Sequence, residues 1–183
     1  MNNTINIVGI DPSTNYVGLA NFFIDATTLD IIHIDSTTIN LANIEPPINL
    51  NRQEFANQYL YNFLVNYFYN YPVVGLAIES AFINKFRISS YGPLTKVIQT
   101  IHMSYRAVYG NINRIVEYAP LLVKKHIGKE FFIDKSGTQN AILNSNLKNF
   151  IRPNITEHEY DAIAIGNLLY TEIKANNEFL LNI

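Results

Sequence analysis

The hydrophobic and polar positions along the chain predict five strands and several helices. Strand-like apolar runs lie at residues 5–11, 16–25, 29–39, 73–79 and 114–118. Helical spacing extends over 52–71, where Pro72 ends it, and predicts further helices over about 94–109, 120–128, 137–150 and 157–175. This order predicts an α/β fold in which helices cover both faces of a mixed five-stranded sheet whose first three strands are antiparallel. No repeat or linker-like segment interrupts it, so residues 1–183 are predicted to form one domain.

Composition excludes several classes of protein. The chain has no cysteine, which removes disulfides and thiolate zinc sites. Its first residues lack the basic and apolar regions of a signal peptide, and no apolar run approaches the roughly 20 residues that span a bilayer. We therefore expect a cytoplasmic protein without a membrane partner. Asn and Ile are unusually abundant, which is typical of an AT-rich genome and suggests a low-GC bacterium or its bacteriophage.

Charge is segregated along the sequence even though the net charge is only -2. Residues 80–152 hold eleven of the 13 Lys and Arg residues but three of the 15 acids. The segments on either side are acidic. Such a distribution is typical of a protein that presents one basic face to a polyanion.

Two acids end apolar strands. Asp11 closes the first predicted strand, and Pro12 favours extended backbone at that acid. Glu79 closes the fourth predicted strand, where an unpaired buried carboxylate would be costly. Ligand sites of open α/β sheets gather at the carboxyl ends of adjacent strands, so the two acids are expected to converge if the first and fourth strands are neighbours.

The last predicted helix adds two candidates. Thr156 and Glu159 have the spacing of a capping box, which assigns Glu159 a structural role. His158 and Asp161 are three residues apart and share a helix face, close to the expected strand ends.

These side chains predict a divalent metal site. Asp11, Glu79, His158 and Asp161 offer oxygen and imidazole ligands, a set that suits Mg²⁺, or Mn²⁺ in its place. Two such ions in one site activate water and stabilise the leaving oxygen in phosphodiester hydrolysis. The basic segment offsets the repulsion between these acids and a phosphate backbone.

The sequence resembles the RuvC family of Holliday-junction resolvases, which have a ribonuclease-H-like fold. IVGIDPS at 7–13 resembles the family's first strand with its metal-binding Asp, LAIESAF at 76–82 resembles the segment with the catalytic Glu, and VEYAPLLVK at 116–124 resembles the fifth strand and the turn after it. HEYDAIAI at 158–165 resembles the closing helix, where the last two active-site residues are three apart and the first is Asp or His. Lys124 and Lys135 keep the spacing of two lysines near the scissile phosphate.

The resemblance implies a Mg²⁺-dependent homodimer that makes paired nicks in four-way DNA junctions, with the helix after residues 80–93 at the dimer interface. Candidate DNA contacts in the basic segment include Phe82 and Phe86, which are expected to stack on unpaired bases. The other candidates are cations that would contact phosphates, namely Lys85, Arg87, Lys125 and Lys129. Forks and flaps are further branched substrates that fit this prediction, and the phage-like composition argues against a branch-migration motor as a partner.

Three alternatives share parts of this pattern. A ribonuclease-H-type nuclease acting on RNA–DNA hybrids would use the same metal chemistry in a different substrate groove. A non-catalytic DNA-binding module would have lost the metal set, whereas this sequence retains all four positions. An ATP-binding relative of the same broad fold would need a second glycine-rich phosphate turn and a second domain, which 183 residues do not hold.

Overall fold

Five strands form one mixed sheet in the part of the chain that the structure describes, a computed structural model of residues 4–81, 88–110, 114–128 and 136–176. The order across the sheet is β3-β2-β1-β4-β5; β1, β2 and β3 are antiparallel, and β4 and β5 run parallel to β1. The predicted fold class is confirmed. The strands are β1 (Thr4–Asp11), β2 (Tyr16–Asp25), β3 (Ile31–Asn40), β4 (Val73–Glu79) and β5 (Ile115–Tyr118).

The helices of the described ranges largely follow the predicted bounds. They are α1 (Arg52–Asn70), α2 (Ile88–Tyr109), α3 (Pro120–Ile127), α4 (Gly137–Asn144) and α5 (Glu157–Ala175). None of these helices is long and apolar enough to cross a bilayer.

Two predicted helix bounds are wrong. Helix α2 begins at Ile88 instead of near residue 94, because Pro93 lies in its second turn and costs the helix one backbone hydrogen bond without ending it. The predicted helix over 137–150 is divided at Ser145, whose backbone is extended. The hydroxyl of Ser145 accepts a hydrogen bond from the N–H of Leu147 and starts a separate 3-10 helix, Asn146–Asn149.

The sheet separates two hydrophobic cores. Side chains alternate between its faces, so Val8 and Ile10 pack with α1 and α2, whereas Ile7 packs with α5. In β4 the same alternation assigns Ile78 to the α1/α2 core and Ala77 to the α5 core. We call the side that carries Ile7 and Ala77 the α5 face.

Helix α5 lies unusually close to the sheet at Gly9. A Cβ atom at this position would overlap the carbonyl oxygen of Ala162 and the backbone nitrogen of Gly166, both in α5. Glycine in β1 therefore permits direct backbone contact between strand and helix. The contact holds the first turns of α5 over the carboxyl end of β1.

Candidate active site

Asp11 and Glu79 lie next to each other at the carboxyl ends of the central strand, β1, and its neighbour, β4. β1 and β4 are parallel neighbours, and their register pairs Ile10 with Ile78, so the next residue of each strand is one of these acids. Alternation turns Glu79 to the α5 face, as it does Ala77 two residues earlier, and turns Asp11 to the same face. β1 and β4 are thus neighbours, which is the condition under which Asp11 and Glu79 were predicted to converge.

Helix α5 brings the other two predicted residues to this face. The hydroxyl of Thr156 accepts a hydrogen bond from the N–H of Glu159, and the carboxylate of Glu159 accepts one from the N–H of Thr156. The predicted capping box is confirmed. It fixes where α5 begins, and with it the positions of His158 in the first turn and Asp161 in the second.

Glu159 also connects this helix end to β3. Glu159 is buried, and its carboxylate accepts hydrogen bonds from the Ser36 hydroxyl at 2.7 Å and from the Arg152 guanidinium at 2.9 Å. The Thr38 hydroxyl is a third donor, at 3.4 Å. A buried carboxylate with several donors and an ion-pair partner is satisfied where it lies. Glu159 therefore anchors α5, in agreement with the structural role predicted for it.

His158 is held from two directions. Its Nδ1 lies 2.8 Å from Oδ2 of Asp11. The ring of Tyr16, the first residue of β2, stacks on the imidazole with the centroids 5.6 Å apart and the planes inclined by 21°. The hydrogen bond to Asp11 raises the pKa of His158, and burial opposes this effect.

The two remaining carboxyl groups are protonated more readily than usual. Burial, followed by the charges of Asp11 and Asp161, raises the pKa of Glu79 to about 7. Burial and the charge of Asp11 raise the pKa of Asp161 to about 6, although a hydrogen bond with Thr138 opposes the shift. The site thus concentrates negative charge that lacks full compensation, a condition that a bound cation would relieve.

The ligand types at this site fit a hard divalent cation, but the side chains do not form a complete coordination site. Asp11, Glu79 and Asp161 supply carboxylate oxygens, the ligands that Mg²⁺ and Mn²⁺ prefer. Among the described residues, however, no three His, Asp or Glu side chains are grouped closely enough to hold an ion as they stand. Oδ2 of Asp11 is bound to His158. Small side-chain rotations would therefore be needed for these ligands to close around an ion.

One predicted basic residue acts on this site directly. Lys124, in the last turn of α3, lowers the pKa of Glu79 through its charge. Lys125 follows it and is exposed to solvent. The other predicted phosphate, base or catalytic contacts lie outside the described residues, namely Phe82, Lys85, Phe86, Arg87, Lys129 and Lys135.

Sequence reasoning missed two residues that contact the candidate site. Tyr16 follows the turn after Asp11, and that proximity alone could have marked it as a neighbour of the strand end. Thr138, at the start of α4, has no sequence signal of this kind, because its contact with Asp161 joins two separate helices.

Comparisons with known proteins give a match in structure but not in sequence. No family model matches the chain, and no curated protein matches it. Two structures of RuvC from Thermus thermophilus, one of them in complex with a Holliday junction substrate, superpose with TM-scores of 0.69 and 0.68. Both are 14% identical and cover 93% of this chain, with 97% and 94% of the RuvC chain matched. The chain has the RuvC fold.

The yeast mitochondrial Holliday junction resolvase Ydc2 also has a similar structure. Its TM-score is 0.61 at 11% identity, with 98% of this chain and 85% of the Ydc2 chain covered. The resemblance first drawn from short motifs is thus confirmed at the level of the RuvC fold. The roles of the individual site residues stay predictions.

Proposed function

We propose that the chain is a metal-dependent, structure-selective endonuclease that cuts branched DNA, in particular Holliday junctions, by hydrolysing phosphodiester bonds. One observation carries this proposal. The parallel register of β1 and β4 brings Asp11 and Glu79 together on the face where α5 presents His158 and Asp161. Acids at adjacent strand ends, joined by a His and an Asp from a helix, suit metal-assisted chemistry on a phosphate.

The carboxylates of Asp11, Glu79 and Asp161 would hold Mg²⁺ or Mn²⁺, with two ions in each site. When bound, the metal supplies an activated water and stabilises the leaving oxygen of the phosphodiester. Asp11 keeps His158 oriented through Nδ1, which leaves Nε2 as the imidazole nitrogen available to a ligand. Lys124 compensates part of the charge on Glu79. Lys124 and Lys135 would both contact the phosphate that is cut.

DNA would approach along the basic segment, residues 80–152. Support comes from its excess of Lys and Arg and from the position of Lys124 beside the acids. Lys125 would contact a neighbouring phosphate. We assign the same role to Lys85, Arg87 and Lys129, and base stacking to Phe82 and Phe86.

We further propose a homodimer in which each copy of the chain contributes one domain and one active site. Paired nicks on opposite strands of a junction require two sites with related geometry. Helix α2 is the proposed interface, and it exposes 62% of Met103, an apolar side chain. Sedimentation velocity would measure the mass of the protein in solution; a monomer at micromolar concentration would contradict this arrangement.

The composition supports a cytoplasmic protein of a bacterium or its phage.

The deciding experiment compares labelled DNA substrates in Mg²⁺, in Mn²⁺ and in EDTA. The panel contains a four-way junction, a three-way junction, a flap, a linear duplex and an RNA–DNA hybrid. We expect symmetric, metal-dependent nicks in opposite strands of the four-way junction. Preferential cutting of the hybrid would favour a ribonuclease-H-type activity instead. Tight junction binding without cutting in either metal would favour a non-catalytic DNA-binding module.

A further inference from the structure

Tyr16 lies beside the proposed active site without any role in the chemistry described so far. It is the first residue of β2, and alternation along this strand turns it to the α5 face, as it does Phe22. Its ring is stacked on the imidazole of His158, with 5.6 Å between centroids. Tyr16 remains 38% exposed. One part of the ring thus contacts His158 and another part contacts solvent.

The start of β2 contacts the same histidine a second time. A Cβ atom at Gly18 would overlap the carbonyl oxygen of His158. The backbone of β2 therefore contacts the first turn of α5 directly, with no room for a side chain between them. The close contact between β2 and α5 brings the rings of Tyr16 and His158 to stacking distance.

Three contacts together restrict the imidazole. The backbone of His158 is set by α5 and by Gly18, Nδ1 is bound by Asp11, and the ring plane is covered by Tyr16. A hydrogen bond alone allows the ring to rock about the bonded nitrogen, whereas a stacked neighbour limits that motion. The ring therefore has a defined plane, and Nε2 has a defined direction.

We propose that Tyr16 is a positioning residue, which holds the imidazole of His158 in the plane that the reaction needs. The effect of Tyr16 on the rate of cleavage rests on the proposed nuclease function, whereas its effect on the orientation of His158 does not. Any aromatic ring of similar size provides the stack, so Tyr16→Phe retains the effect and Tyr16→Ala loses it. The phenolic oxygen has no part in it.

The first test uses the metal-free protein and needs no substrate. Nuclear magnetic resonance spectra report the ring protons of His158 and the tautomer of its imidazole, with the signals assigned by loss in His158→Gln. In Tyr16→Ala we expect the ring-current shift on the His158 protons to disappear and its Nδ1-protonated tautomer to become less populated. Tyr16→Phe should keep both signatures. Unchanged His158 signals in Tyr16→Ala would overturn the proposal.

The second test separates positioning from DNA contact. Under single-turnover conditions, Tyr16→Ala should lower the saturated rate of junction nicking about tenfold, while the junction Kd stays within about twofold. Tyr69→Ala is the matched control, since Tyr69 lies on α1 with 80% of its side chain exposed. A weakened Kd with an unchanged saturated rate would instead make Tyr16 a DNA contact and overturn the proposal. If the unaltered chain cuts no branched DNA, the proposed function fails, and the metal-free spectra still decide whether Tyr16 positions His158.

Discussion

Nδ1 of His158 and Oδ2 of Asp11 are 2.8 Å apart, although 147 residues separate them in the chain. The bond joins the end of the first strand to the first turn of the last helix. A carboxylate that binds one imidazole nitrogen fixes the tautomer and directs the other nitrogen outward. The pair thus links the two ends of the fold at the point where the proposed chemistry takes place.

Neutralising either strand-end acid should abolish cleavage and spare binding. Asp11→Asn and Glu79→Gln each keep the shape of the side chain but remove a charged metal ligand, which should cost about 100-fold or more in nicking rate. Junction affinity in EDTA should stay unchanged or improve, because each variant removes negative charge near the DNA. Gel-shift titrations and single-turnover assays measure the two quantities. Undiminished Mg²⁺-dependent nicking by either variant would remove the proposed mechanism.

The metal-free protein should lose stability as the pH rises towards neutrality. Burial and neighbouring charges raise the pKa of Glu79 from 4.5 to about 7, so the folded state favours the protonated acid. The stability that protonated Glu79 contributes is fully present below the pKa of this acid in the unfolded chain. It is lost as the pH rises through about 7. It amounts to at most about 3 kcal/mol, and each kcal/mol shifts the melting temperature of a chain of this size by about 2–4 °C.

Thermal melting between pH 5 and pH 8 in EDTA tests this prediction. Glu79→Gln should reduce the pH dependence, and Mg²⁺ should restore stability at pH 8 to the unaltered protein but much less to the variant. Glu45→Gln, which changes an exposed acid in a loop, is the matched control. Equal pH dependence in Glu79→Gln and Glu45→Gln would show that Glu79 is not the group responsible.

Local patterns in the sequence predicted much of this fold. The bounds of β2, β4 and α5 agree with the structure because apolar periodicity, Pro72 and the Thr156 capping box mark their ends. The convergence of Asp11 and Glu79 depended only on two strands being neighbours. The bounds of these elements are encoded by residues close together in the chain, whereas the pairing of β1 with β4 is not.

Other parts of the site depend on tertiary contacts that no local pattern records. The capping role of Glu159 was predictable, but its bond with Ser36 spans 123 residues. The stack of Tyr16 on His158 likewise depends on how closely β2 approaches α5. The start of α2 was predicted wrongly because Pro93 is read as a boundary when only the sequence is considered.

Removing Arg152 should destabilise the fold, and removing the charge of its partner as well should recover part of the loss. The Arg152 side chain is 55% exposed, whereas the Glu159 side chain is 3% exposed, so Arg152→Ala leaves a buried negative charge without its cation. The remaining hydroxyl donors limit the loss to about 2–3 kcal/mol in urea unfolding. Adding Glu159→Gln to Arg152→Ala should recover at least part of it. If the double variant is less stable than Arg152→Ala, the unpaired charge is not the cause.

A side chain at Gly18 should displace the first turn of α5. The Cβ atom of Gly18→Ala would overlap the carbonyl oxygen of His158, and backbone on both sides leaves little room for adjustment. We expect a loss of about 1–3 kcal/mol in unfolding free energy and slower cleavage. Gly92→Ala is the control. It also replaces a glycine, here one in helix α2, and a Cβ atom at this position would meet nothing within 4 Å. Similar stability changes in the two variants would contradict the close contact at Gly18.

Lys124 offers the sharpest separation of catalysis from folding. Its ammonium group is exposed on α3, so its removal should change the unfolding free energy by less than about 0.5 kcal/mol. The same group lowers the pKa of Glu79, and Lys124→Ala should therefore move the pH at which this acid ionises upwards. Cleavage at pH 7 should fall about tenfold and recover in part at higher pH, as Glu79 regains its charge. Lys148→Ala removes an exposed lysine of the same basic segment and controls for net charge. Equal nicking rates and equal pH profiles in Lys124→Ala and the unaltered chain would show that Lys124 does not act on Glu79 during the reaction.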